Sequence, residues 1–282
     1  MEDNKLSNGI SSEPFDIYIV GTGIIPALHL TREAEAAMRR SKEVLYIDKS
    51  FGSEEFLNSL CPNITDLHAA SYRETEERLD AYRKMASLVI DAALNHPPVT
   101  FALYGHPLVY ALPPVIVLAM AQLIGLRVKV MPGISSLDTL FVDLKFDPCT
   151  YGIQMYEATD LLLRKRPIQP DVPCFIWQIG TVESRLYTES SSKPERFRHI
   201  KEYLLQFYPP NTPMIAVYSS SMPLAQSSLT EFTLETIEEK ADELHQGLTV
   251  YIPPINIREV QDQDLLKAMD DTTYLKEVTQ NS

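Results

Sequence analysis

Apolar positions recur along this chain at two spacings, and the switches between them mark out short strands and longer helices. Phe15–Val20 is a compact apolar run that stops at Gly21, the pattern of a buried strand. From Pro26 the residues Leu28, Leu30, Ala34, Ala37 and Met38 follow helical spacing, with Thr31 and Glu33 near the start. Glu43–Ile47 is the next strand. Strand, loop, helix and strand in that order predict a parallel-sheet unit. A helix over Phe51–Leu60 and a short strand over Ile64–Leu67 come next. A long helix is predicted from Ser71 through Met85 to Leu94, ended by Pro97 and Pro98. Val99–Tyr104 reads as a strand, Pro113–Leu123 as a helix capped by Gly125, Leu126–Met131 as a strand and Ser136–Leu144 as a helix.

The second half repeats the alternation with weaker signals. Strands are predicted at Tyr151–Met155, Cys174–Gln178, Pro213–Tyr218 and Leu248–Ile252. Helices are predicted around Ala158–Leu163, Arg196–Phe207 and Leu234–His245. Glu183–Pro194 is Ser-rich and charged and reads as a mobile loop. The pattern predicts a disordered leader over 1–14, an N-terminal α/β domain over 15–137, a C-terminal α/β domain over 138–256 and a tail over 257–282. One short amphipathic helix near Asp264–Met269 precedes a frayed end. No Gly- or Ser-rich linker marks the boundary near Asp138–Thr150, so two domains in close contact, sharing a cleft, are expected.

Three strand ends in the first half break in the same way: Val20-Gly21-Thr22-Gly23, Tyr104-Gly105-His106-Pro107 and Met131-Pro132-Gly133-Ile134. Ligands collect at the carboxyl ends of strands in open α/β sheets, so these breaks predict a ligand crevice. Gly21-Thr-Gly23 is not the dinucleotide fingerprint, because Pro26 stands where the third glycine belongs.

Composition narrows the classes. The formal net charge of -13 argues against a non-specific nucleic-acid binder or membrane-surface binder, which needs clustered Lys and Arg. The densest basic run, Arg164-Lys-Arg166, reads as a helix C-terminus before Pro167. No apolar run reaches the ~18 residues of a membrane helix, and the polar, acidic N-terminus has no signal-peptide pattern. Three dispersed cysteines and six histidines without metal spacing point to a reducing cytoplasm and no metal site.

The ordered combination of Gly-Thr-Gly-x-x-Pro, Tyr-Gly-His-Pro and Pro-Gly-Ile-Ser resembles the tetrapyrrole-methylase superfamily of S-adenosylmethionine-dependent methyltransferases. The resemblance covers about residues 16–256. It implies an α/β fold of two domains with the methyl-donor site in the cleft between them, and a homodimer. Tyr72, Arg78, Tyr82, Tyr104-Gly-His-Pro107, Tyr156-Glu-Ala158, Trp177-Gln-Ile-Gly180 and Tyr251-Ile-Pro-Pro254 look like the borosin peptide backbone α-N-methyltransferases. The chain ends soon after Pro254 without a fused core peptide, so the resemblance is to the split enzymes that act on a separate precursor peptide.

That resemblance implies a catalytic Tyr-(x5)-Arg-(x3)-Tyr at Tyr72, Arg78 and Tyr82, with Tyr104 a further functional tyrosine. It implies that the donor, S-adenosyl-L-methionine, leaves as S-adenosyl-L-homocysteine after lying against Tyr104, His106, Val109, Ser135, Ser136, Gln178, Met222 and Thr249. No metal is implied. The chemistry suits these residue types. An amide N–H is a very weak acid, so methyl transfer needs a base, a cation near base and carbonyl oxygen, and tight positioning. Arg78 and Tyr82, four apart, share a helix face. A guanidinium favours a tyrosine phenolate over its ordinary pKa of ~10, and Tyr72 can donate to the amide oxygen. Trp177 reads as core.

Two rival readings remain at this point: a methyltransferase of the same fold acting on a tetrapyrrole or other small molecule, and an inactive peptide-binding homologue. The intact Tyr72, Arg78 and Tyr82 speak against both. Gly-Thr-Gly-Ile-Ile-Pro departs from the Gly-Pro-Gly usual in tetrapyrrole enzymes, which also suits a peptide.

Overall fold

The computed structural model describes residues 14–280; apart from Pro14, the leader expected over 1–14 lies outside them. Among these residues the chain forms two five-stranded sheets. The first holds β1 (Ile17–Gly21), β2 (Glu43–Ile47), β3 (Ile64–Asp66), β4 (Val99–Leu103) and β5 (Val128–Met131) in the order β3-β2-β4-β1-β5. Every pairing in it is parallel. β1 and β4 are buried along their whole length, because helices cover both faces. On one face α1 (Arg32–Arg40) and α2 (Ser53–Leu60) pack through Ala37, Met38 and Leu57 against Tyr18 and Val44. On the other, α4 (Arg78–Asn95) and α5 (Pro113–Ile124) pack through Met85, Val89 and Val117 against Ile19 and Phe101. Between β3 and α4 lies a five-residue helix, α3 (Leu67–Ser71).

The second sheet holds β6 (Gln154–Glu157), β7 (Cys174–Trp177), β8 (Pro213–Tyr218), β9 (Ser228–Thr233) and β10 (Thr249–Ile252) in the order β6-β7-β10-β8-β9. Only β6 and β7 run parallel. One face carries α7 (Ala158–Arg164), α8 (Arg198–Leu204) and the 3₁₀ turns Pro194–Phe197 and Leu234–Lys240 over a core of Leu161, Ile176, Phe197 and Ile237. The other face is closed by α6 (Ser136–Asp143), whose Leu140 meets Phe175, Trp177 and Val217. The tail carries α9 (Gln263–Ala268) and, where the pattern predicts fraying, α10 (Thr272–Val278), capped by the Asp271 carboxylate.

Local signals set most boundaries. Thr31 caps α1 through Ala34 N, so the helix starts there and not at Pro26; Ala27 has a positive φ and the His29 ring accepts from Ile24 N and Ile25 N. Gly125, at φ 76°, closes α5. Three expectations fail, and one strand was not predicted. The long helix predicted from Ser71 breaks over 72–77, where Thr75 adopts φ 64°. There the backbone donors of Thr75 and Arg78 bond to Tyr187 O and Arg185 O, both at 2.9 Å, and not within a helix. The strand predicted over 151–155 forms over 154–157, because Gly152 takes φ 71° and Gln154 N is the first to bond β7's approach at Pro173 O, 2.9 Å. The edge strand β9, Ser-Leu-Thr-Glu-Phe-Thr, is mostly polar and carries no strand signal in the sequence. The helix predicted over 234–245 is a 3₁₀ turn ending at Lys240.

The stretch Glu183–Pro194, read as a mobile loop, contains a strap. Glu77 and Leu186 form an antiparallel bridge, Tyr187 N donates to Glu76 O at 2.9 Å, and Glu189 N donates to the Glu74 carboxylate at 3.2 Å. The strap ties the second half of the chain to the segment just before α4.

Candidate active site

The three glycine-marked strand ends come together at the carboxyl edge of the parallel sheet. Gly23 and Gly105 exchange backbone hydrogen bonds of 3.2 and 2.9 Å. A Cβ on Gly21 would stand 2.2 Å from Gly105 O and 2.9 Å from Gly133 Cα, so only glycine fits there. The glycines lock the loops to one another, and Tyr104, next to Gly105, lines an adjoining cavity. At the end of β4, Tyr104 is anchored by its N–H to Ile47 O at 3.0 Å while 39% of the residue stays exposed. Beside it Asp48 is buried, its carboxylate accepting from Thr22 Oγ1 at 2.9 Å and Ser50 N at 2.8 Å.

Tyr104 faces a cavity of about 540 Å³ whose wall also includes Tyr72, Arg78, Tyr82, Gln178 and Tyr187. A second cavity, about 480 Å³, is mostly apolar, with Leu79, Leu108, Tyr110 and Leu112 in its wall. Arg78, Tyr82 and Gln178 line both, so the two spaces meet at these side chains. Both volumes lie in the range of ~300–1,000 Å³ usual for small-molecule sites.

Arg78 opens α4. Its Nη2 donates to Ser184 O at 2.6 Å, so the strap holds the guanidinium in place. Tyr82, one turn on, presents the same helix face. Tyr72 ends α3 and belongs to a different segment from Arg78. Its ring stacks on Tyr187, with centroids 4.4 Å apart and planes at 26°, and meets Tyr82 edge-on at 6.2 Å. Burial pushes the Tyr72 hydroxyl far above the usual tyrosine range; Tyr82 adds to this through charge and hydrogen bonding, and only Arg78 opposes it. Tyr72 therefore stays a protonated donor at neutral pH. Tyr104 is raised too, by burial first and then by Tyr218 and Asp48. Burial likewise pushes Tyr110 up to about 12.

Of the residues expected at the site, Tyr72, Arg78, Tyr82, Tyr104 and Gln178 share the larger cavity. Gln178, at φ 57° past the end of β7, donates from Nε2 to Tyr110 O at 3.3 Å. His106, Val109, Ser135, Ser136, Met222 and Thr249 line neither cavity. His106 Nδ1 accepts from Leu108 N at 3.1 Å and Val109 N donates to His106 O at 3.3 Å, which shapes the loop. Ser135 is the capping-box residue of α6, and Ser136 opens that helix. Met222 lies in the loop after β8, and Thr249 is buried on β10 opposite Trp177 and Val217. Trp177 is core, as expected, stacked on Tyr110 at 5.0 Å.

Sequence reasoning missed Tyr187, His68 and the cavity role of Asp48. Tyr187 sits in a stretch whose composition reads as loop, and His68 in a helix of five residues. Neither carries a periodic signal. Among the described residues, no group of three or more His, Cys, Asp or Glu is arranged to hold a metal ion.

The chain is 30% identical over 248 residues to a methyltransferase and type I borosin cyclic peptide precursor of Gymnopilus junonius, a match covering 86% of this chain and 58% of that protein. It is 29% identical over 251 residues to the methyltransferase and dendrothelin A precursor of Dendrothele bispora, covering 88% and 60%. The omphalotin A counterpart of Omphalotus olearius is 28% identical over 254 residues, covering 89% and 60%. The chain thus spans about three-fifths of the length of these curated relatives. Among solved structures, the uroporphyrin-III C-methyltransferase of Thermus thermophilus, complexed with S-adenosyl homocysteine, superposes with a TM-score of 0.60 at 20% identity, covering 84% of this chain and 96% of that one. Cobalt precorrin-4 methyltransferase gives 0.59 at 14% identity, covering 84% and 94%. Residues 16–238 match the family described as tetrapyrrole (corrin/porphyrin) methylases, and the chain belongs to that family.

Proposed function

We propose that this protein is an S-adenosyl-L-methionine-dependent methyltransferase that α-N-methylates backbone amides of a separate precursor peptide. The observation that carries the reading is the convergence of Tyr72, Arg78, Tyr82 and Tyr104 on one cavity that meets a second cavity at Arg78, Tyr82 and Gln178. Two adjoining spaces are what a methyl donor and an extended peptide require to meet in line. The similarity to proteins named as methyltransferase and borosin precursor supports the peptide as acceptor. The fold supports the donor class, since a solved protein of like fold was obtained with S-adenosyl homocysteine.

The residues fit the donor in part. Tyr104 and Gln178 offer polar atoms to the larger cavity, and Leu108 and Tyr110 offer apolar wall to the adjoining one. The donor supplies an electrophilic methyl group on a sulfonium. Tyr72, held protonated, donates to the carbonyl oxygen of the acceptor amide, on which charge develops. Arg78 lies beside it and favours negative charge there. Tyr82, one turn beyond Arg78 on the same helix face, would take the amide proton as the nitrogen accepts the methyl group that the donor would supply. Domains over 15–137 and 138–256 are proposed as the two units that frame the cleft.

We also propose a homodimer. α5 is strongly apolar and leaves Val115 48%, Ile124 51% and Leu123 85% exposed, a surface that a second copy would cover.

Co-expression with each short reading frame beside the gene, followed by mass measurement, tests the function. The expected result is a Val/Ile/Leu-rich peptide gaining mass in whole methyl increments. Methyl groups on the enzyme's own chain would replace the trans arrangement, and methylation of a tetrapyrrole alone would overturn the peptide reading.

A further inference from the structure

We propose that Tyr187 is the positioning residue for Tyr72: its ring and its hydroxyl network fix the Tyr72 ring so that its hydroxyl meets Arg78 and Tyr82. The proposal rests on the reading of Tyr72 as the donor to the acceptor amide. Tyr72 needs such a support. It follows a helix of five residues and begins the irregular link to α4, in which Thr75 has φ 64°. The link's own backbone cannot hold a large ring in one rotamer.

Packing holds it. Tyr187 lies stacked on one side at 4.4 Å, His68 lies tilted at 4.6 Å, and Tyr82 closes the edge at 6.2 Å. Tyr187 is itself fixed at both ends. Its backbone exchanges hydrogen bonds with the link, Thr75 N to Tyr187 O and Tyr187 N to Glu76 O, both 2.9 Å. Its hydroxyl donates to Glu189 Oε1 at 2.7 Å and lies 3.2 Å from His68 Nε2. Glu189 in turn receives Lys49 Nζ at 3.3 Å. The same strap supplies Ser184 O to the Arg78 guanidinium. One segment of the second half thus sets two groups of the candidate triad, which stand on different segments of the first.

The groups facing the Tyr72 hydroxyl are Arg78, Tyr82 and Tyr187, with His68 against the ring. Two experiments on the full chain decide the matter. In the first, tyrosines are labelled with ¹³C at Cζ, and the Tyr72 and Tyr104 resonances are assigned from Tyr72→Phe and Tyr104→Phe. In Tyr187→Ala the Tyr72 resonance should move and titrate at lower pH, with Tyr104 unchanged. Tyr187→Phe, which keeps the stack, should restore most of the wild-type signal. An unmoved Tyr72 resonance in Tyr187→Ala overturns the proposal.

The second experiment measures turnover with S-adenosyl-L-methionine and the apolar peptide from co-expression. Tyr187→Ala should lower kcat about ten- to a hundredfold with KM within about twofold, as expected for a misplaced catalytic group. In the Tyr72→Phe background the same substitution should cost nothing further. Independent, multiplying losses would overturn the proposal, as would wild-type kcat in Tyr187→Ala. A fully active Tyr72→Phe would sink the role given to Tyr72, and the resonance experiment would still decide whether Tyr187 orients it. If Tyr187→Ala fails to fold, Tyr187→Leu, which keeps bulk but removes the stack, carries the same readouts: a moved Tyr72 resonance supports the proposal and an unmoved one overturns it.

Discussion

Arg78 is the residue on which the site turns. It lines both cavities, bonds the strap through Ser184 O and is the one neighbour that lowers the Tyr72 hydroxyl's pKa. Under the proposed mechanism, Arg78→Ala or Tyr82→Phe should reduce methylation about 10²–10³-fold, the usual cost of losing a group that acts on developing charge. Binding of S-adenosyl-L-homocysteine, followed by titration calorimetry, should stay within about threefold. Wild-type turnover in either variant would end the triad assignment. A different constraint operates at Gly21, where an added Cβ meets Gly105 O at 2.2 Å, backbone against backbone. Gly21→Ala should therefore destabilise by about 1–3 kcal/mol or more, measured by urea denaturation. The Arg78–Tyr82 spacing was legible because both residues lie on one helix. Tyr187 was not, since its meaning comes only from what it stacks on.

Two kinds of element build the site, and they respond differently to change. α4 and β4 are buried in the parallel-sheet core, whereas the strap is held by backbone hydrogen bonds and exposed ion pairs. Arg185 pairs with Glu77 at 3.2 Å with its side chain 74% exposed, so the pair is screened and adds little. Arg185→Ala should change stability by less than ~1 kcal/mol, and amide exchange at Thr75, Arg78 and Tyr187 should remain slow. Loss of protection at those amides would show that the ion pair, not the ladder, holds the strap. At the other end of the sheet, Asp16 just before β1 accepts from Arg127 N, Nε and Nη2 at 2.8, 3.0 and 2.7 Å. These bonds hold its carboxyl below the usual carboxylate range, the side-chain bond to Arg127 being the largest cause. A depressed folded-state pKa gives stability that is present above the unfolded value of ~3.9 and lost as pH falls through the lower folded one. Asp16→Asn should thus be less stable than wild type at pH 7, with the gap closing below about pH 4. A gap that stays constant into acid would contradict the assignment.

At the scale of the whole molecule, the two sheets have separate cores and meet where function is proposed. Three features join them there: the strap across 74–78, the Gln178 bond to Tyr110 O at 3.3 Å, and the space shared by Arg78 and Tyr82. The exposed face of α5 points to a further level of assembly. If a second copy covers it, Leu123→Asp should shift the protein from dimer to monomer in sedimentation while leaving its melting temperature nearly unchanged. A wild-type monomer at micromolar concentration would remove the dimer from the proposal.

The strands of the parallel sheet, most of the helices beside it and the three glycine breaks at its carboxyl edge were legible in the local sequence. These rest on local physics: a strand buried on both faces must be apolar throughout, a cap must offer a side-chain oxygen, and a tight backbone approach admits only glycine. The resemblance carried by its motifs pointed to the family. The break before Arg78 in the helix predicted from Ser71 comes from long-range pairing. The backbone groups of 75–78 find partners more than a hundred residues away, at Arg185 and Tyr187, and no local pattern encodes that competition. The same long-range pairing turns a stretch that reads as a mobile loop into a wall of the site, and places Tyr187 on Tyr72.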